Sequence, residues 1–237
     1  MSRTSETRRP RAAGREDAAP RFKGDGSAHR SSSRALREHG EDAEMDTSRS
    51  RAVVLVEGIS DQCALEVLAE RRGRDLGAEG IAVVPIGGAQ SIGRFLDRFG
   101  PAGLDVRLAG LCDAGEEGDF RRGLERAGLG SDLTRVGMEQ LGFYVCVKDL
   151  EDELIRALGA AAVERVAVAQ GDLGAFRTLQ KQPAWQGRTV EEQLRRWMGS
   201  GGRRKIRYAR LLVDALDLAQ VPRPLDLVLA HAGASTS

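Results

Sequence analysis

Val53-Val54-Leu55-Val56-Glu57-Gly58-Ile59-Ser60-Asp61 is the stretch from which the rest of the chain is read. Four consecutive apolar residues, three of them β-branched, predict a strand buried on both faces, and such strands belong to parallel sheets with helices on either side. The run stops at an acid. Gly58 permits a tight turn, Ser60 is a favoured N-cap residue, and Asp61 is expected to open a helix whose apolar face is Ala64, Leu65 and Leu68. Glu57 then stands at the carboxyl end of a strand, with Asp61 one helical turn beyond it. Ligands of open α/β sheets bind at that rim, so two carboxylates converging there are a candidate metal site. On local sequence alone, a solvated strand end and an acid complementing a helix dipole account for the pair equally well.

Downstream the pattern repeats. Residues 81–86 read as a second buried strand ending in Gly87-Gly88, after which Ser91 is placed to cap a helix through Phe95, Leu96 and Phe99. The glycine pair fits a tight turn better than a phosphate cradle. Residues 106–112 form the third predicted strand, followed by Asp113-Ala114-Gly115-Glu116-Glu117 and a helix over 119–127. The fourth, 142–147, leads into Lys148-Asp149-Leu150-Glu151-Asp152-Glu153 and a helix with Leu150, Leu154, Ile155 and Leu158 inward. For Asp152 the plain preference of acids for a helix N-terminus is the better explanation. Strand and helix alternate throughout, which predicts an α/β fold with a parallel sheet of about four strands, and right-handed crossovers bring the ends of the first and third strands together. Carboxylates at three strand ends form an oxygen-only set: Glu57 with Asp61, Asp113 with Glu116 or Glu117, and Glu151 with Glu153. Hard oxygen ligands suit Mg²⁺ or Mn²⁺, and two such ions side by side can activate a water and steady the leaving oxygen of a phosphodiester.

From about residue 160 the pattern becomes helical, with helices expected over 161–170, 172–182, 189–198 and 203–218 and a short one at 225–229 after Pro222 and Pro224. The organisation is therefore a tail over 1–50, an α/β domain over 51–159 and a helical region over 160–237. The tail is Arg-, Ser- and Gly-rich with almost no large apolar side chains, a composition expected to be disordered; Met45 offers a second start just before the first strand. The tail holds 11 Lys/Arg and 9 Asp/Glu of the chain's 36 and 35, which leaves the remainder near neutral with 25 and 26. Its basic residues are clustered all the same. Arg195, Arg196, Arg203, Arg204, Lys205, Arg207 and Arg210 fall in sixteen residues without an acid, a face expected to attract phosphate. Tyr208 lies among these arginines, where an aromatic can stack a base, whereas the spacing of Trp197 favours the core.

Other chemistries are excluded. Cys63, Cys112 and Cys146 are far apart inside apolar segments, which fits buried thiols in a reducing cytoplasm and no zinc site. Two of the three histidines, His29 and His39, lie in the tail, so a His-based triad is not expected. No P-loop pattern occurs, no stretch is apolar enough for a membrane span, and the basic tail lacks the apolar core of a secretion signal.

The V-E-G of residues 56–58 with an acid four residues after Glu57 resembles the first motif of the topoisomerase-primase (TOPRIM) fold, and the E-x-x-x-D version resembles the overcoming-lysogenization-defect (OLD) nucleases. The Gly-Gly turn and Asp113 follow in the family's order, and the resemblance covers residues 53 to about 155. It implies a Rossmannoid sheet and a metal-dependent phosphoryl-transfer site, carried by Glu57 and Asp61, then Asp113. The family's D-x-D is broken by Gly115, so Glu116 or Glu117 would substitute. Glu151 resembles the late acidic ligand, and Lys205 a lysine that follows the core, with Arg203, Arg204, Lys205, Arg207 and Arg210 as the nucleic-acid-binding face. OLD proteins usually carry an ATPase in the same chain and this sequence has none, which implies action alone or with a separate ATPase. The leading expectation is a cytoplasmic Mg²⁺- or Mn²⁺-dependent endonuclease acting on DNA, with two ions. The alternatives are an RNA-processing nuclease or nucleotidyl transferase, and a degenerate TOPRIM module that binds nucleic acid or a partner ATPase without cutting, which Gly115 favours.

Overall fold

The computed structural model describes residues 50–234; the tail reading of residues 1–49, with Met45, lies outside them. In order the elements are β1 (Ala52–Val56), α1 (Ile59–Arg71), β2 (Ile81–Pro85), α2 (Ile92–Phe99), β3 (Arg107–Cys112), α3 (Glu117–Arg126), α4 (Arg135–Gln140), β4 (Phe143–Val145) and α5 (Leu150–Leu158). There follow α6 (Ala160–Ala169), α7 (Leu173–Gln180), α8 (Val190–Gly199), α9 (Gly202–Ala215) and α10 (Arg223–Gly233). The four strands are all parallel in the order β2-β1-β3-β4.

Burial of β1 follows from its position between two neighbours and two helical layers. Val54 lies in register with Val83 of β2 on one side and Ala109 of β3 on the other. Ala52, Val54 and Val56 join one core with α1 and the C-terminal helices, while Val53 and Leu55 join a second core with α2 and α3. Residues 52 to 56 are all 0% exposed. Each fully buried Val or Leu contributes roughly 1.5–3 kcal/mol by area, an upper bound because the unfolded chain already hides part of it. Gly110 of β3 permits the crowding of the second core, since a Cβ there would collide with the Phe143 ring of β4.

Three local readings are corrected. Ser60 is not the cap of α1: the helix starts at Ile59 after Gly58, and Asp61, at the third helical position, accepts the Gly58 N–H at 3.2 Å through Oδ2. The acid supplies the cap from inside the first turn, so its carboxylate is pulled back toward the strand end. Ser91 makes no side-chain cap either and closes a 3₁₀ turn over Ala89–Ser91 that leads into α2. The helix expected over 225–229 after Pro224 instead spans Arg223–Gly233 and includes Pro224 in its first turn, where a proline loses no hydrogen bond. Helix α4 carries too short an apolar pattern to be read from sequence: six residues capped by Thr134, with Met138 alone buried.

The helices after residue 160 share the first core with β1 and α1. Helix α9 lies along α1, with the Arg71 guanidinium donating to the Val213 carbonyl at 2.6 Å, and α10 covers β3, β4 and β1. Trp197 and Tyr208 meet edge to face, with centroids 4.9 Å apart, and both are buried. Burial of Trp197 matches its spacing, but it takes Tyr208 out of reach of any base.

Candidate functional site

The strand order places a topological switch point between β1 and β3, because the chain leaves β1 toward β2 and returns to the other side for β3. Crevices of α/β sheets open there, at the carboxyl ends of the strands. Glu57 follows β1 and Asp113 follows β3 at that place, and Glu57 Oε1 accepts the Asp113 backbone N–H at 2.7 Å. The backbone of Glu57 is held from the opposite side: the N–H groups of Gly87 and Gly88 both donate to its carbonyl at 3.1 Å. Both glycines have positive φ, 74° and 110°, which explains the glycine pair as a turn that clamps the Glu57 peptide.

Asp61 is 6% exposed, and its Oδ2 also accepts from Ser60 Oγ at 3.3 Å. Glu151, in the first turn of α5, is equally buried; its Oε2 stands 3.4 Å from Lys205 Nζ, and its Oε1 has no hydrogen-bond partner. Lys205 reaches the group from the first turn of α9 and interacts with Glu57, Asp61, Asp113 and Glu151 alike. Asp149 caps α5 by accepting the Asp152 N–H at 2.8 Å and ion-pairs with Arg195 Nε at 2.5 Å. The signal for Asp149 in the sequence is an Asp three residues before Asp152 at a strand-to-helix junction, a capping position.

One ammonium faces four carboxylates, and their titration shows the imbalance. Burial raises the Asp113 carboxyl to about 8, and Glu57 and Asp61 push it the same way against Lys205. Burial likewise lifts Glu57, Asp61 and Glu151 above ordinary carboxylates; Glu116 adds to the effect on Glu57. Burial opposes the charge on Lys205, yet Glu151, Asp61 and Asp113 outweigh it and hold the lysine above its ordinary value. The cluster thus favours positive charge, whether as protons or as a cation.

The donor set fits a hard divalent cation, being all oxygen and including a buried Glu151 Oε1 that nothing else satisfies. No three acidic, imidazole or thiol groups among the described residues stand ready at ligand spacing. The other acids expected here lie elsewhere. Glu153 is not brought to the cluster: Oε1 accepts the Val147 N–H at 2.7 Å and Oε2 meets Arg156 at 2.6 Å. Glu117 is paired with Arg135; Asp152, expected only as an acid at a helix N-terminus, meets Lys148 at 2.9 Å and Arg156 at 2.8 Å.

The basic face is only partly open. Arg204 donates to the Trp197 carbonyl at 3.0 Å and stacks over that ring, and Arg207 is paired with Asp172. Arg203 and Arg210 are exposed with no ion pair among the described residues. Cys112 and Cys146 are buried free thiols, whereas Cys63, on α1, is only partly buried. No described helix is long and apolar enough to cross a membrane.

The family model described as "Overcoming lysogenization defect protein-like, TOPRIM domain" matches residues 50–114, the span from the start of β1 past Asp113. No curated protein matches the chain. Among solved structures, the C-terminal region of the Xanthomonas campestris pv. campestris OLD protein is similar at 26% identity and TM-score 0.61, over 78% of this chain and 92% of that one. The C-terminal region of the Burkholderia pseudomallei OLD protein shares the fold at 20% identity and TM-score 0.62, over 78% of this chain and 97% of that one. The matched span contains Glu57, Asp61 and Asp113, so residues 50–114 are similar to an OLD-like TOPRIM domain, and the chain shares its fold with OLD C-terminal regions.

Proposed function

We propose that the chain is a Mg²⁺- or Mn²⁺-dependent endonuclease that hydrolyses DNA phosphodiester bonds at the β1–β3 switch point. The observation that carries this reading is the convergence of Glu57, Asp61, Asp113 and Glu151 around one lysine, with a buried carboxylate oxygen left unpartnered. Glu57, Asp61, Asp113 and Glu151 would hold the cation, with Glu116 beside Glu57; a pair of ions is the fullest version. A bound divalent ion would supply Lewis acidity and a lowered pKa for water. Asp113, protonated near neutral pH without the ion, must release that proton when a ligand is needed. Lys205, freed from Glu151 by competition, is placed to neutralise charge developing on a transferring phosphate. Arg203, Arg204, Arg207 and Arg210 flank Lys205 along α9, where a strand backbone would run. The three free thiols suit a cytoplasmic setting, and the family likeness supports a separate ATPase as partner.

Gly115 supports a second reading, a module that binds nucleic acid or an ATPase without cutting. The test is incubation of supercoiled plasmid with the chain and Mg²⁺ or Mn²⁺, beside EDTA and Glu57→Gln controls, with labelled RNA and nucleoside triphosphates in parallel. Metal-dependent nicking lost in Glu57→Gln is expected. Binding without metal-dependent nicking would decide for the non-catalytic module, and turnover of RNA or triphosphates alone for the other substrates.

A further inference from the structure

A cavity of about 470 Å³ opens beside the carboxylate cluster, bounded by the start of α5, by α8 and by Lys205 of α9. Its volume is in the range of small-molecule sites, roughly 300–1,000 Å³. Its charges are not balanced. Asp149 is taken by Arg195 and Glu151 by Lys205, while Glu192 accepts the Thr189 N–H at 3.1 Å in the α8 cap and keeps its charge, so the basic groups of the lining exceed the acidic ones by one. Arg188 and Arg196 also line the cavity, are exposed, and have no ion pair among the described residues. Two free guanidiniums in a concave site select a group with several anionic oxygens, such as a phosphate.

Trp185 lies on the same wall, half-buried and braced against the first core in the 3₁₀ turn Pro183–Trp185. A braced, partly open indole is a stacking platform for a flat ring, unlike Trp197, which is sealed in the core. The cavity and the carboxylate cluster share Glu151 and Lys205, so a ligand filling the one lies next to the other.

We propose that this cavity holds one unpaired nucleotide of a nucleic-acid strand, its base stacked on Trp185 and its phosphate gripped by Arg188 and Arg196. The assignment deepens the nuclease reading and rests on it: the held nucleotide neighbours the phosphate to be cleaved, which favours substrates that are single-stranded or locally unpaired there. A base inside a duplex is covered on both faces and cannot present itself to the indole.

The test uses the full chain in EDTA, so that cleavage plays no part, with thymidine 5′-monophosphate as probe and inorganic phosphate and thymidine as comparison ligands. The monophosphate should bind at least tenfold more tightly than either and quench tryptophan fluorescence, and the quench should vanish in Trp185→Phe. In Trp185→Leu, which stays apolar and loses the ring, monophosphate binding should weaken roughly tenfold while phosphate binding is unchanged. Arg188→Ala with Arg196→Ala should weaken monophosphate and phosphate together. Equal affinity for monophosphate and phosphate in the parent chain, or a quench that persists in Trp185→Phe, overturns the assignment even where plasmid is cut. A quench lost in Trp185→Phe upholds the cavity as a nucleotide site even where plasmid cleavage fails, so the two readings fall separately.

Discussion

Lys205 Nζ stands 3.4 Å from Glu151 Oε2, joining the first turns of α9 and α5 across the carboxylate cluster. The pair is lopsided: the lysine side chain is a third exposed and the glutamate side chain 8% exposed. Most of the desolvation cost therefore falls on Glu151, whose second oxygen has no hydrogen-bond partner among the described residues.

Removing the lysine should thus hurt more than removing both groups. Lys205→Met is expected to destabilise the metal-free chain by about 1–2 kcal/mol, less than for a fully buried pair because solvent reaches the ammonium. Adding Glu151→Gln should recover most of that loss. Urea unfolding of the two single variants and the double closes the cycle; additive effects would mean the 3.4 Å pair carries no coupling.

The Asp113 carboxyl, raised from 3.8 to about 8, makes the metal-free fold pH-dependent in a definite direction. Between those values the folded chain binds a proton that the unfolded chain has released, so unfolding free energy falls as pH rises. Stability in EDTA should be highest below about pH 4 as far as this group is concerned and lost progressively up to about pH 8. The raised Glu57, Asp61 and Glu151 act with the same sign. Asp113→Asn keeps the backbone N–H that Glu57 accepts and should flatten the profile. Thermal melts from pH 5 to 9, with and without Mn²⁺, check this; a parent profile that does not decline would mean that the carboxylates do not share one field.

The basic helix gives a graded prediction instead of a uniform one. Arg203 and Arg210 are exposed with no ion pair among the described residues, whereas Arg207 already holds Asp172 and Arg204 the C-terminal end of α8. Each DNA phosphate that a side chain ceases to neutralise lowers the slope of log K against log salt by about 0.9 on duplex DNA. Arg203→Ala and Arg210→Ala should each remove about that much, and Arg207→Ala much less. Filter binding across a salt series distinguishes them; equal effects would mean that Asp172 gives up Arg207 to DNA.

Sequence carried the sheet and its acidic rim because each strand is a short apolar run and three of the four lead into carboxylates, a pattern local enough to be read without tertiary packing. What it could not carry was the use of individual side chains. Glu153 and Glu151 sit two residues apart in one helical turn, yet the first is spent on Val147 N–H and Arg156 while the second faces Lys205. Their difference is one of helical phase relative to β4 and α9, fixed only when those elements pack. Tyr208 was misread for a related reason: arginines on both sides suggested a surface, but its own phase on α9 points it at Trp197. The Gly87-Gly88 turn was legible as a turn, while its hold on the Glu57 carbonyl required knowing that β2 lies beside β1.

The broken D-x-D offers the most direct handle on catalysis. Gly115 is exposed in the 3₁₀ turn Ala114–Glu116, a Cβ built on it meets nothing within 4 Å, and its φ lies outside the left-handed region. A side chain there is therefore tolerated, and an acid would enter the field of Asp113 two residues away. Gly115→Asp should lower metal-free stability relative to Gly115→Asn, which has the same shape without the charge, by about 0.5–1 kcal/mol of added repulsion. The same charge should strengthen a hard-cation site, so the Mn²⁺-induced rise in melting temperature should be larger in Gly115→Asp than in Gly115→Asn or the parent, and plasmid nicking faster. If Gly115→Asp gains metal-induced stability but no nicking, the site binds the ion without the arrangement that cuts, and the non-catalytic reading prevails. A metal response no different from that of Gly115→Asn would place the ion away from Asp113 and overturn the proposed ligand set.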